Sequence, residues 1–236
     1  MIKLSKRMQA VFNLVSHDTV ADIGCDHAFV SIALIEQKKA RHVIAMDVKP
    51  GPVDIAVGNV TAHNMHHNIE VRLSDGFDAL AENEAKTAII AGMGGRLTVD
   101  ILKRGSRHTK NGIELVLQPQ SEIHEVRRYL QDIGYEITDE LMVYEEEKYY
   151  TVIQAVPSGG NISYQDTELF FGPVLLKKRD NILHSCLREK YNKNKRLEES
   201  IENVNTDSTK QRLNELKAEN ELITRALSLV RQGGDI

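Results

Sequence analysis

The sequence predicts an α/β fold in which a mostly parallel sheet is followed by a separate helical arm. Up to residue 157, strand-like apolar runs alternate with stretches of helical periodicity, which is the pattern of βαβ units. The last two strand-like runs are consecutive and enclose an acidic turn, so they predict a hairpin that closes the sheet. A breaker cluster at 157–161 then precedes a region with only helical patterns. We therefore expect two domains, residues 1–157 and 158–236.

The elements of the first domain follow in order along the chain. An amphipathic helix is predicted over 4–15, because apolar residues recur there at helical spacing. Short apolar runs predict five strands, over 19–23, 42–47, 69–73, 87–91 and 113–118. The segments between them have helical periodicity and predict helices over 28–38, 53–63, 96–104 and 122–133. The closing hairpin is predicted over 135–144 and 149–156, around a turn at 145–148.

The second domain is predicted to be an antiparallel helical hairpin, that is, a coiled coil. Its apolar residues follow a 3–4 heptad spacing in two runs, which are separated by a turn and helix cap at 205–208. The seam residues are Leu176, Leu183, Leu187, Leu197, Ile201 and Val204, then Leu213, Leu216, Ile223, Leu227 and Val230. Asp180, Lys190 and Asn194 interrupt the first run, and Asn220 interrupts the second. We hypothesise that Asn194 and Asn220 lie opposite each other as a buried polar pair that fixes the register.

Composition excludes several classes of protein. The 236 residues include 41% hydrophobic and 27% charged residues, which is a globular rather than a disordered composition. No apolar run reaches the roughly 20 residues that a bilayer crossing needs, and the first residues lack the apolar stretch of a signal peptide. Cys25 and Cys186 lie far apart in the chain, so we expect no disulfide scaffold and a reducing, cytoplasmic location.

The net charge of −4 conceals an uneven distribution of charge. Residues 1–176 carry 17 basic and 24 acidic side chains, whereas residues 177–236 carry 13 and 10. Two basic clusters predict phosphate binding, although a solvated helix face is an equally good interpretation of each. The first cluster is Lys103, Arg104, Arg107 and Lys110. The second lies within 177–196 and includes Lys177, Lys178, Arg179 and Arg188.

Chemistry-bearing residues follow the first two strands. In open α/β sheets, ligands bind outside the carboxyl ends of the strands. Gly24 directly follows the first strand, but the dinucleotide fingerprint needs two more glycines where this chain has Asp26 and Phe29. Asp26 would set an anion against a pyrophosphate, so NAD and FAD are disfavoured. A cofactor with a cationic group, such as S-adenosylmethionine, is favoured. Asp22 and Asp47 have the spacing that favours a ribose contact.

The third and fourth strands also end in candidate site residues. Asp75 and Gly76 follow the third strand, where a carboxylate can meet an adenine amine, although Asp75 is also typical of a turn. Three glycines, Gly92, Gly94 and Gly95, fall within four positions after the fourth strand. We interpret them as allowing a planar substrate to approach the backbone, with a tight structural turn as the alternative.

The fifth strand ends in Gln118, Pro119 and Gln120. The two amides are candidates for hydrogen bonds to a base edge, and an ordinary strand-to-helix turn is an equally good interpretation. Metal catalysis is not expected, because the three clustered histidines fall on a predicted surface helix; they are His63, His66 and His67. No activating base is identifiable for Cys25, so we expect its thiol to pack in the turn rather than act as a nucleophile.

Together these motifs resemble the bacterial TrmK family of class I methyltransferases, which methylate N1 of the adenine at position 22 of tRNA. The resemblance covers nearly the whole chain, and the combination of motifs is specific although each motif alone is not. It is carried by ADIGCDHA (21–28), MDV (46–48), Gly51-Pro52, SDG (74–76), IAGMGG (90–95), LQPQ (117–120), Lys148-Tyr149-Tyr150 and FGP (171–173). Cys25, Asp47 and Gln120 replace the Ser, Glu and Asn that the family commonly has at these positions.

The resemblance implies a Rossmann-like class I methyltransferase sheet. It also implies S-adenosyl-L-methionine as methyl donor, with S-adenosyl-L-homocysteine as product. The implied cofactor-binding residues run from the methionine end through the ribose to the adenine, and then to the meeting point with the target base. They are Arg7, Asp22, Gly24, Cys25, Asp26, Asp47, Val48, Asp75, Gly76, Ala91, Gly92 and Met93.

The implied reaction is an in-line displacement at a sulfonium, for which the protein mainly orients the reactants and excludes water. Because the product adenine is cationic, a carboxylate can stabilise it or take an N6 proton. Asp26 is the first candidate for this catalytic role and His27 the second, with helix packing as the alternative for His27. The target adenine is expected to leave its stack. The implied tRNA-contacting residues are Gly94, Gly95, Arg96, Lys103, Arg104, Arg107, Gln118, Pro119, Gln120, Lys177, Lys178, Arg179 and Arg188.

Two other functions remain open at this point. A methyltransferase acting on a small molecule or a protein would not depend on tRNA, and its helical hairpin would serve in dimerisation. A non-catalytic adaptor would use the coiled coil as its working part, but the intact acidic strand ends and the Gly-rich loop count against it. We expect tRNA as partner, no membrane association and no obligate protein partner.

Overall fold

The computed structural model describes residues 2–202 and 206–230. The chain divides into two compact units, Met1–Ser163 and Tyr164–Ile236. The domain boundary predicted after residue 157 lies at the end of the last strand of the first unit. The predicted seam residue Val204 and turn residue Asn205 lie outside the described residues.

The first unit contains a seven-stranded sheet flanked by helices. Its strands are β1 (Thr19–Ile23), β2 (His42–Asp47), β3 (Ile69–Leu73), β4 (Thr87–Met93), β5 (Glu114–Pro119), β6 (Tyr135–Glu145) and β7 (Lys148–Pro157). Its helices are α1 (Lys6–Leu14), α2 (Phe29–Glu36), α3 (Pro50–Ala62), α4 (Gly95–Arg104), α5 (Ser106–Lys110) and α6 (Ile123–Asp132).

The strand order in the sheet is β3-β2-β1-β4-β5-β7-β6. The neighbours among β1 to β5 pair in parallel, whereas β7 pairs antiparallel with β5 and β6 antiparallel with β7. The predicted α/β class and the closing hairpin are therefore confirmed. The second strand of the hairpin lies inside the sheet, and the first forms its edge.

Burial explains why the parallel strands form continuous apolar runs. Val20, Ala21 and Ile23 of β1 are all buried, because helices cover both faces of a parallel sheet. Helix α2 is apolar around most of its circumference, and its residues from Val30 to Leu34 are correspondingly buried. The burial of these elements fixes where each strand ends, so the polar residues that follow the strands lie at one edge of the sheet.

The structure extends or corrects the prediction in three places. Strand β4 continues two residues beyond the predicted end, to Met93, because its pairing with β5 resumes after a register shift between Ala91 and Met93. The short helix α5 was not predicted. Helix α3 ends at Ala62, so the three clustered histidines lie at or after its end rather than on a surface helix.

The second unit consists of helices α7 (Asp166–Phe171), α8 (Pro173–Lys178), α9 (Asn181–Ile201) and α10 (Asp207–Val230). The prediction of one continuous seam from Leu176 was wrong. Asp180 is the N-cap of α9, where its carboxylate accepts hydrogen bonds from the backbone N–H groups of Ile182 and Leu183, at 2.9 and 2.8 Å. Leu176 therefore belongs to a separate helix. Leu197, predicted in the seam, is 39% exposed.

The predicted polar pair in the helical hairpin is confirmed. Asn194 on α9 and Asn220 on α10 are each only 5% exposed, and Asn194 Nδ2 donates to Asn220 Oδ1 at 3.3 Å. Asn220 Nδ2 donates to Glu198 Oε1 at 2.6 Å, and Asn194 Nδ2 also donates to Glu219 Oε2 at 2.8 Å. These hydrogen bonds form a polar layer between α9 and α10, and this layer fixes the register of the two helices.

Candidate active site

The candidate site lies at the carboxyl edge of the parallel strands. Because β3, β2, β1, β4 and β5 are neighbours in that order, the loops that follow them share one edge of the sheet. Most of the residues singled out in the first unit by sequence lie in these loops. The topology therefore brings together the Gly24, Asp47, Asp75, Gly92 and Gln120 regions.

The loop after β1 is tied to the end of β2. The N–H groups of Gly24 and Cys25 both donate to the carbonyl oxygen of Met46, at 2.8 and 2.9 Å. The N–H of Asp26 donates to Asp47 Oδ2 at 3.3 Å, so the carboxylate at the end of β2 also helps to hold this loop. The other oxygen of Asp47 accepts from the N–H of Lys49 at 3.0 Å.

Gly24 has a left-handed backbone conformation, with φ of +76°. A Cβ atom at this position would lie 2.2 Å from Cε of Met93, the last residue of β4. Any side chain here would therefore displace the end of the flexible Met93 side chain. The glycine thus lets Met93 pack directly against the loop, and the predicted cofactor contacts of both residues stay predictions.

Asp22 and Ser31 form a buried pair beneath the loop. Asp22 is 5% exposed, and the Ser31 hydroxyl donates to its Oδ2 at 2.6 Å. Burial raises the pKa of Asp22 to about 6, although the Ser31 hydrogen bond acts in the opposite direction. Asp22 is thus poised to change its ionisation near neutral pH.

Asp26 and His27 form a hydrogen-bonded pair at the surface of the same loop. Asp26 Oδ2 lies 2.6 Å from His27 Nδ1, and the Asp26 side chain is largely exposed. Asp26 and Ala28 both adopt left-handed backbone conformations, with φ of +51° and +58°. Such strain in non-glycine residues concentrates at functional sites. The His27 carbonyl accepts from Asn59 Nδ2 at 2.9 Å, which anchors the loop to α3.

The loops after β4 and β5 are joined by hydrogen bonds. The Gly92 N–H donates to Gln118 Oε1 at 3.1 Å, and the Gln120 N–H donates to the Met93 carbonyl at 2.8 Å. Gly92 has φ of +80° and is exposed. Gln120 is exposed beside it, so both residues are accessible, and their predicted contacts with cofactor and substrate stay predictions.

Three predicted substrate contacts are corrected by burial. Gln118 is fully buried, and its amide oxygen faces the Gly92 backbone instead of a base edge. Pro119 is buried as well. Gly95 is buried at the start of α4, where a Cβ atom would lie 2.4 Å from the carbonyl oxygen of Ser121. Gly95 therefore serves close packing of α4 against the loop after β5.

Asp75, after β3, forms a two-pronged ion pair with Arg104 at the end of α4. Arg104 Nη1 donates to Asp75 Oδ2 at 2.5 Å and Nη2 to Oδ1 at 3.0 Å. These hydrogen bonds hold the pKa of the Asp75 carboxyl below its usual value. Arg104 was expected to contact tRNA phosphate; in the structure its exposed guanidinium pairs with the Asp75 carboxylate, and the tRNA contact stays a prediction.

The rest of the first basic cluster is also partly used within the protein. Arg107 Nη2 donates to the carbonyl of Leu80 at 3.0 Å, and the Lys103 ammonium lies 5.8 Å from the centre of the Tyr129 ring. Lys110 is exposed, and phosphate binding by the cluster at 103–110 stays a prediction. Arg96 is exposed at the start of α4, and its guanidinium lies 3.8 Å from the Glu122 carboxylate.

Arg7 lies at the start of α1, next to the tip of the β6–β7 hairpin. Its guanidinium carbon is 5.1 Å from the centre of the Tyr150 ring. The Glu145 carboxylate accepts from the N–H groups of Lys6 and Arg7, at 2.7 and 3.3 Å, and so holds the first turn of α1. The structure thus places Arg7 against the hairpin, and its predicted contact with the cofactor stays a prediction.

The second basic cluster forms a corner between two helices rather than one helix face. Lys177 and Lys178 lie in the last turn of α8, and Arg188 lies on α9. Arg179 between them has φ of +52°, which turns the chain into α9. All four side chains belong to exposed residues.

Several other expectations concern reactive groups and membranes. Burial raises the pKa of the Cys25 thiol far above its usual value, which fits packing in the turn. Among the described residues, no cluster of three His, Cys, Asp or Glu side chains is arranged to hold a metal ion. Over residues 2–202 and 206–230, no helix is long and apolar enough to cross a bilayer.

Three residues that organise the loop after β1 were not predicted from the sequence. Ser31 holds Asp22, and its signal was a lone polar residue inside the apolar run of α2. Asn59 holds His27, but nothing in the pattern of α3 marks it. Phe29 is 45% exposed, and its ring stacks on His27 with centres 5.7 Å apart.

Comparison with known proteins gives consistent matches over nearly the whole chain. The family model TrmK, tRNA (adenine(22)-N(1))-methyltransferase, matches residues 20–224. The tRNA (adenine(22)-N(1))-methyltransferase of Bacillus subtilis is 31% identical over 232 residues, which cover 96% of this chain and 98% of the relative.

Solved structures agree. The crystal structure of the B. subtilis m1A22 tRNA methyltransferase TrmK aligns with a TM-score of 0.85 at 29% identity, covering 96% of this chain and all of that chain. A candidate tRNA (m1A22) methyltransferase from Streptococcus pneumoniae, in complex with S-adenosyl-L-methionine, aligns with a TM-score of 0.84 at 30% identity. That alignment covers 95% of this chain and all of the other.

Proposed function

The chain belongs to the TrmK family of tRNA (adenine(22)-N(1))-methyltransferases, and from this premise we propose which of its residues carry the reaction. It is an enzyme that transfers a methyl group from S-adenosyl-L-methionine to N1 of the adenine at position 22 of tRNA. The proposed roles rest on one observation: the ends of five parallel strands meet at one edge of the sheet. The family disfavours a small-molecule or protein substrate and a non-catalytic adaptor.

The residues at this edge fit the cofactor. The loop after β1 forms the proposed cradle, in which Gly24 packs against the end of the flexible Met93 side chain, and the ionised form of Asp22 below it suits a cationic ligand. The half-buried Asp47 carboxylate suits ribose hydroxyls, and the exposed Asp75 carboxylate suits the adenine edge. Gly76, buried beside Asp75 with a left-handed backbone, shapes the turn that presents this carboxylate. When bound, the cofactor supplies a methyl group activated by a positively charged sulfur. Val48, Ala91, Gly92 and Met93 complete the proposed cofactor contacts.

Asp26 is the proposed catalytic carboxylate. It is exposed at the cradle, and its hydrogen bond to His27 Nδ1 holds the two side chains in one orientation. Methylation at N1 makes the adenine cationic, so a fixed carboxylate nearby stabilises the charge that develops or accepts a proton from N6. His27, stacked on Phe29 and anchored by Asn59, positions this carboxylate and is the second candidate for the proton.

The test of this role is Asp26→Asn. Asparagine keeps the shape of the side chain and tolerates the left-handed backbone that alanine would resist. With cofactor and tRNA saturating, we expect methyl transfer to slow by about a hundredfold. Asp54→Asn, at an exposed position on α3, is the matched control. Near-normal turnover of Asp26→Asn would remove Asp26 from the catalytic role.

The reaction itself is tested by mapping its product. The protein is incubated with labelled S-adenosyl-L-methionine and unmodified tRNA, and the labelled nucleotide is then identified. Label is expected at N1 of adenine 22, and a tRNA with guanine at position 22 should remain unlabelled. Label at another nucleotide, or transfer that does not require tRNA, would contradict the assigned substrate.

We propose two surfaces for the tRNA. Gly94, Arg96 and Gln120 lie around the exposed Gly92 loop and are placed to meet the extruded adenine. In the second unit, the basic corner of α8 and α9 would grip the RNA backbone and read its shape rather than its sequence. The two free cysteines favour a reducing compartment, so we also propose that the enzyme works in the cytoplasm.

A further inference from the structure

The loop after β3 lies at the proposed adenine end of the cofactor site, and residues at the α4–α5 junction hold it in place. We propose that Arg104 at this junction is a positioning residue for the cofactor. Its guanidinium holds the Asp75 carboxylate in the orientation that receives the adenine 6-amine. The inference rests on the proposed function, in which Asp75 meets the adenine. It moves Arg104 from tRNA binding to cofactor recognition.

The geometry of the ion pair leaves Asp75 able to bind a second partner. Arg104 uses both ends of its guanidinium fork, one on each carboxylate oxygen, at 2.5 and 3.0 Å. A carboxylate offers about four lone-pair directions, so each oxygen keeps one for an amine hydrogen. A two-pronged pair also fixes the plane of the carboxylate, which a single point charge would leave free to rotate.

Two further contacts from the α4–α5 junction hold the loop. Gly105 lies so close to Phe77 that a Cβ atom would fall 2.2 Å from the ring, and Phe77 stacks on His108 with centres 5.0 Å apart. Arg107 Nη2 then donates to the carbonyl of Leu80. Three residues of the α4–α5 junction therefore contact the loop, and the contact of Arg104 is the one nearest the proposed adenine site.

The loop also has internal support that does not depend on Arg104. The Ser74 hydroxyl donates to the Gly76 carbonyl at 3.0 Å and accepts from the Ala79 N–H at 3.0 Å. The Arg104 and Asp75 side chains are 46% and 52% exposed, and exposed ion pairs contribute little to the stability of a fold. Loss of Arg104 should therefore change the orientation of Asp75 while the loop and the fold persist.

The experiment compares two ligands on four proteins by titration calorimetry. The ligands are S-adenosyl-L-homocysteine and its purine analogue, in which hydrogen replaces the 6-amine. The proteins are the wild type, Arg104→Ala, Arg104→Lys and the control Arg41→Ala. Arg41 forms an exposed ion pair with Asp18 at the opposite, amino edge of the sheet, so its loss is matched in chemistry.

We expect Arg104→Ala to bind S-adenosyl-L-homocysteine roughly fivefold to tenfold more weakly, and to bind the purine analogue as the wild type does. Arg104→Lys, which keeps the charge but not the fork, should recover part of the loss. Arg41→Ala should match the wild type for both ligands. Only a role through the 6-amine predicts this selectivity.

Other results would overturn the proposal in distinguishable ways. Equal weakening for both ligands would reduce Arg104 to a structural role, and tighter binding by Arg104→Ala would show that it competes with the cofactor. Unchanged binding of both ligands by Arg104→Ala would leave Arg104 without a role in cofactor recognition. A wild type that does not discriminate between the two ligands would overturn the placement of Asp75 itself, whereas methyl transfer to tRNA is measured independently.

Discussion

The buried carboxyl of Asp22 couples the cofactor cradle to pH. Its pKa in the folded protein is about 6, because burial disfavours the charged form. The unfolded chain has the lower, ordinary value and releases this proton first. This group therefore lowers stability progressively as pH rises from about 4 to about 6, and its contribution is constant above that range.

Cofactor affinity should have the opposite dependence on pH. If the ionised carboxylate attracts the cationic ligand, binding strengthens as pH rises through about 6, by roughly tenfold between pH 5 and pH 7. Titration calorimetry with S-adenosyl-L-methionine, which carries the cationic sulfonium, measures the effect over this range. Asp22→Asn should bind more weakly at pH 7 and lose this pH dependence. An unchanged profile in that variant would show that another group titrates.

Single side chains also show where prediction from sequence fails. Strand ends pointed to Asp22, Asp26, Asp47 and Asp75 because topology alone places such residues at one edge. Gln118 could not be assigned in this way. The direction of its amide depends on the register shift in β4, which brings the Gly92 N–H within reach. Such details are set by distant strands and leave no local signal.

At the scale of elements, the start of α4 is fixed by the absence of a side chain at Gly95. A Cβ atom there would lie 2.4 and 2.8 Å from the carbonyl oxygens of Ser121 and Glu122. Gly95→Ala should destabilise the protein by about 1–3 kcal/mol, because neither backbone can yield easily. The chain has no tryptophan, so urea unfolding is followed by circular dichroism.

A second glycine supplies the matched control for Gly95. Gly58 lies exposed within α3, and a Cβ atom there meets nothing within 4 Å. Gly58→Ala should therefore stabilise the protein, by about 0.5–1 kcal/mol, through higher helix propensity. If both substitutions stabilised, close packing at Gly95 would not be what requires a glycine there.

The polar layer of the helical hairpin makes a separate prediction. Asn220→Leu removes the partner of Glu198 Oε1 and of Asn194 Nδ2 in a buried layer. It should destabilise the protein by about 1–3 kcal/mol, because buried polar atoms lose their hydrogen bonds. Asn214→Leu, at an exposed position on the same helix, should stay within about 0.5 kcal/mol of the wild type. Thermal unfolding followed by circular dichroism compares the stabilities of the two variants. Equal effects would show that the polar layer does not stabilise the hairpin.

At the scale of the whole molecule, the basic corner of the second unit should govern tRNA affinity. Reversing the charges of Lys177, Lys178 and Arg188 should weaken tRNA binding by roughly tenfold to a hundredfold and flatten its salt dependence. Arg179 is left unchanged because of its left-handed backbone. Cofactor affinity, measured in parallel, should not change.

The control for this experiment has the same change in total charge. It reverses Arg41 and Lys86, which are exposed near the amino edge of the sheet, and Lys210, which is exposed on α10. A weakening of tRNA binding of equal size in both triple variants would show that net charge, and not the corner, determines affinity.

The overall architecture was the most predictable feature. β1, β2 and β3 occur at the predicted residues. β1 and β2 are buried, continuous apolar runs, whereas β3 lies at the edge of the sheet and alternates apolar with charged residues. The short helix α5 and the break between α8 and α9 were missed. Tertiary packing and the cap at Asp180 decide these elements, and in the sequence Asp180 looked like an interruption of one long helix.

The two edges of the sheet have a consequence for association between molecules. An exposed, flat edge strand can pair with a strand of another chain and begin aggregation. Here β6 carries a register irregularity between Ile137 and Asp139, which disrupts a regular template. On the opposite edge, β3 has only five residues, and its Arg72 is bound by Glu70 and Glu84. Charge, shortness and irregular pairing thus make both edges poor templates for a strand of another chain.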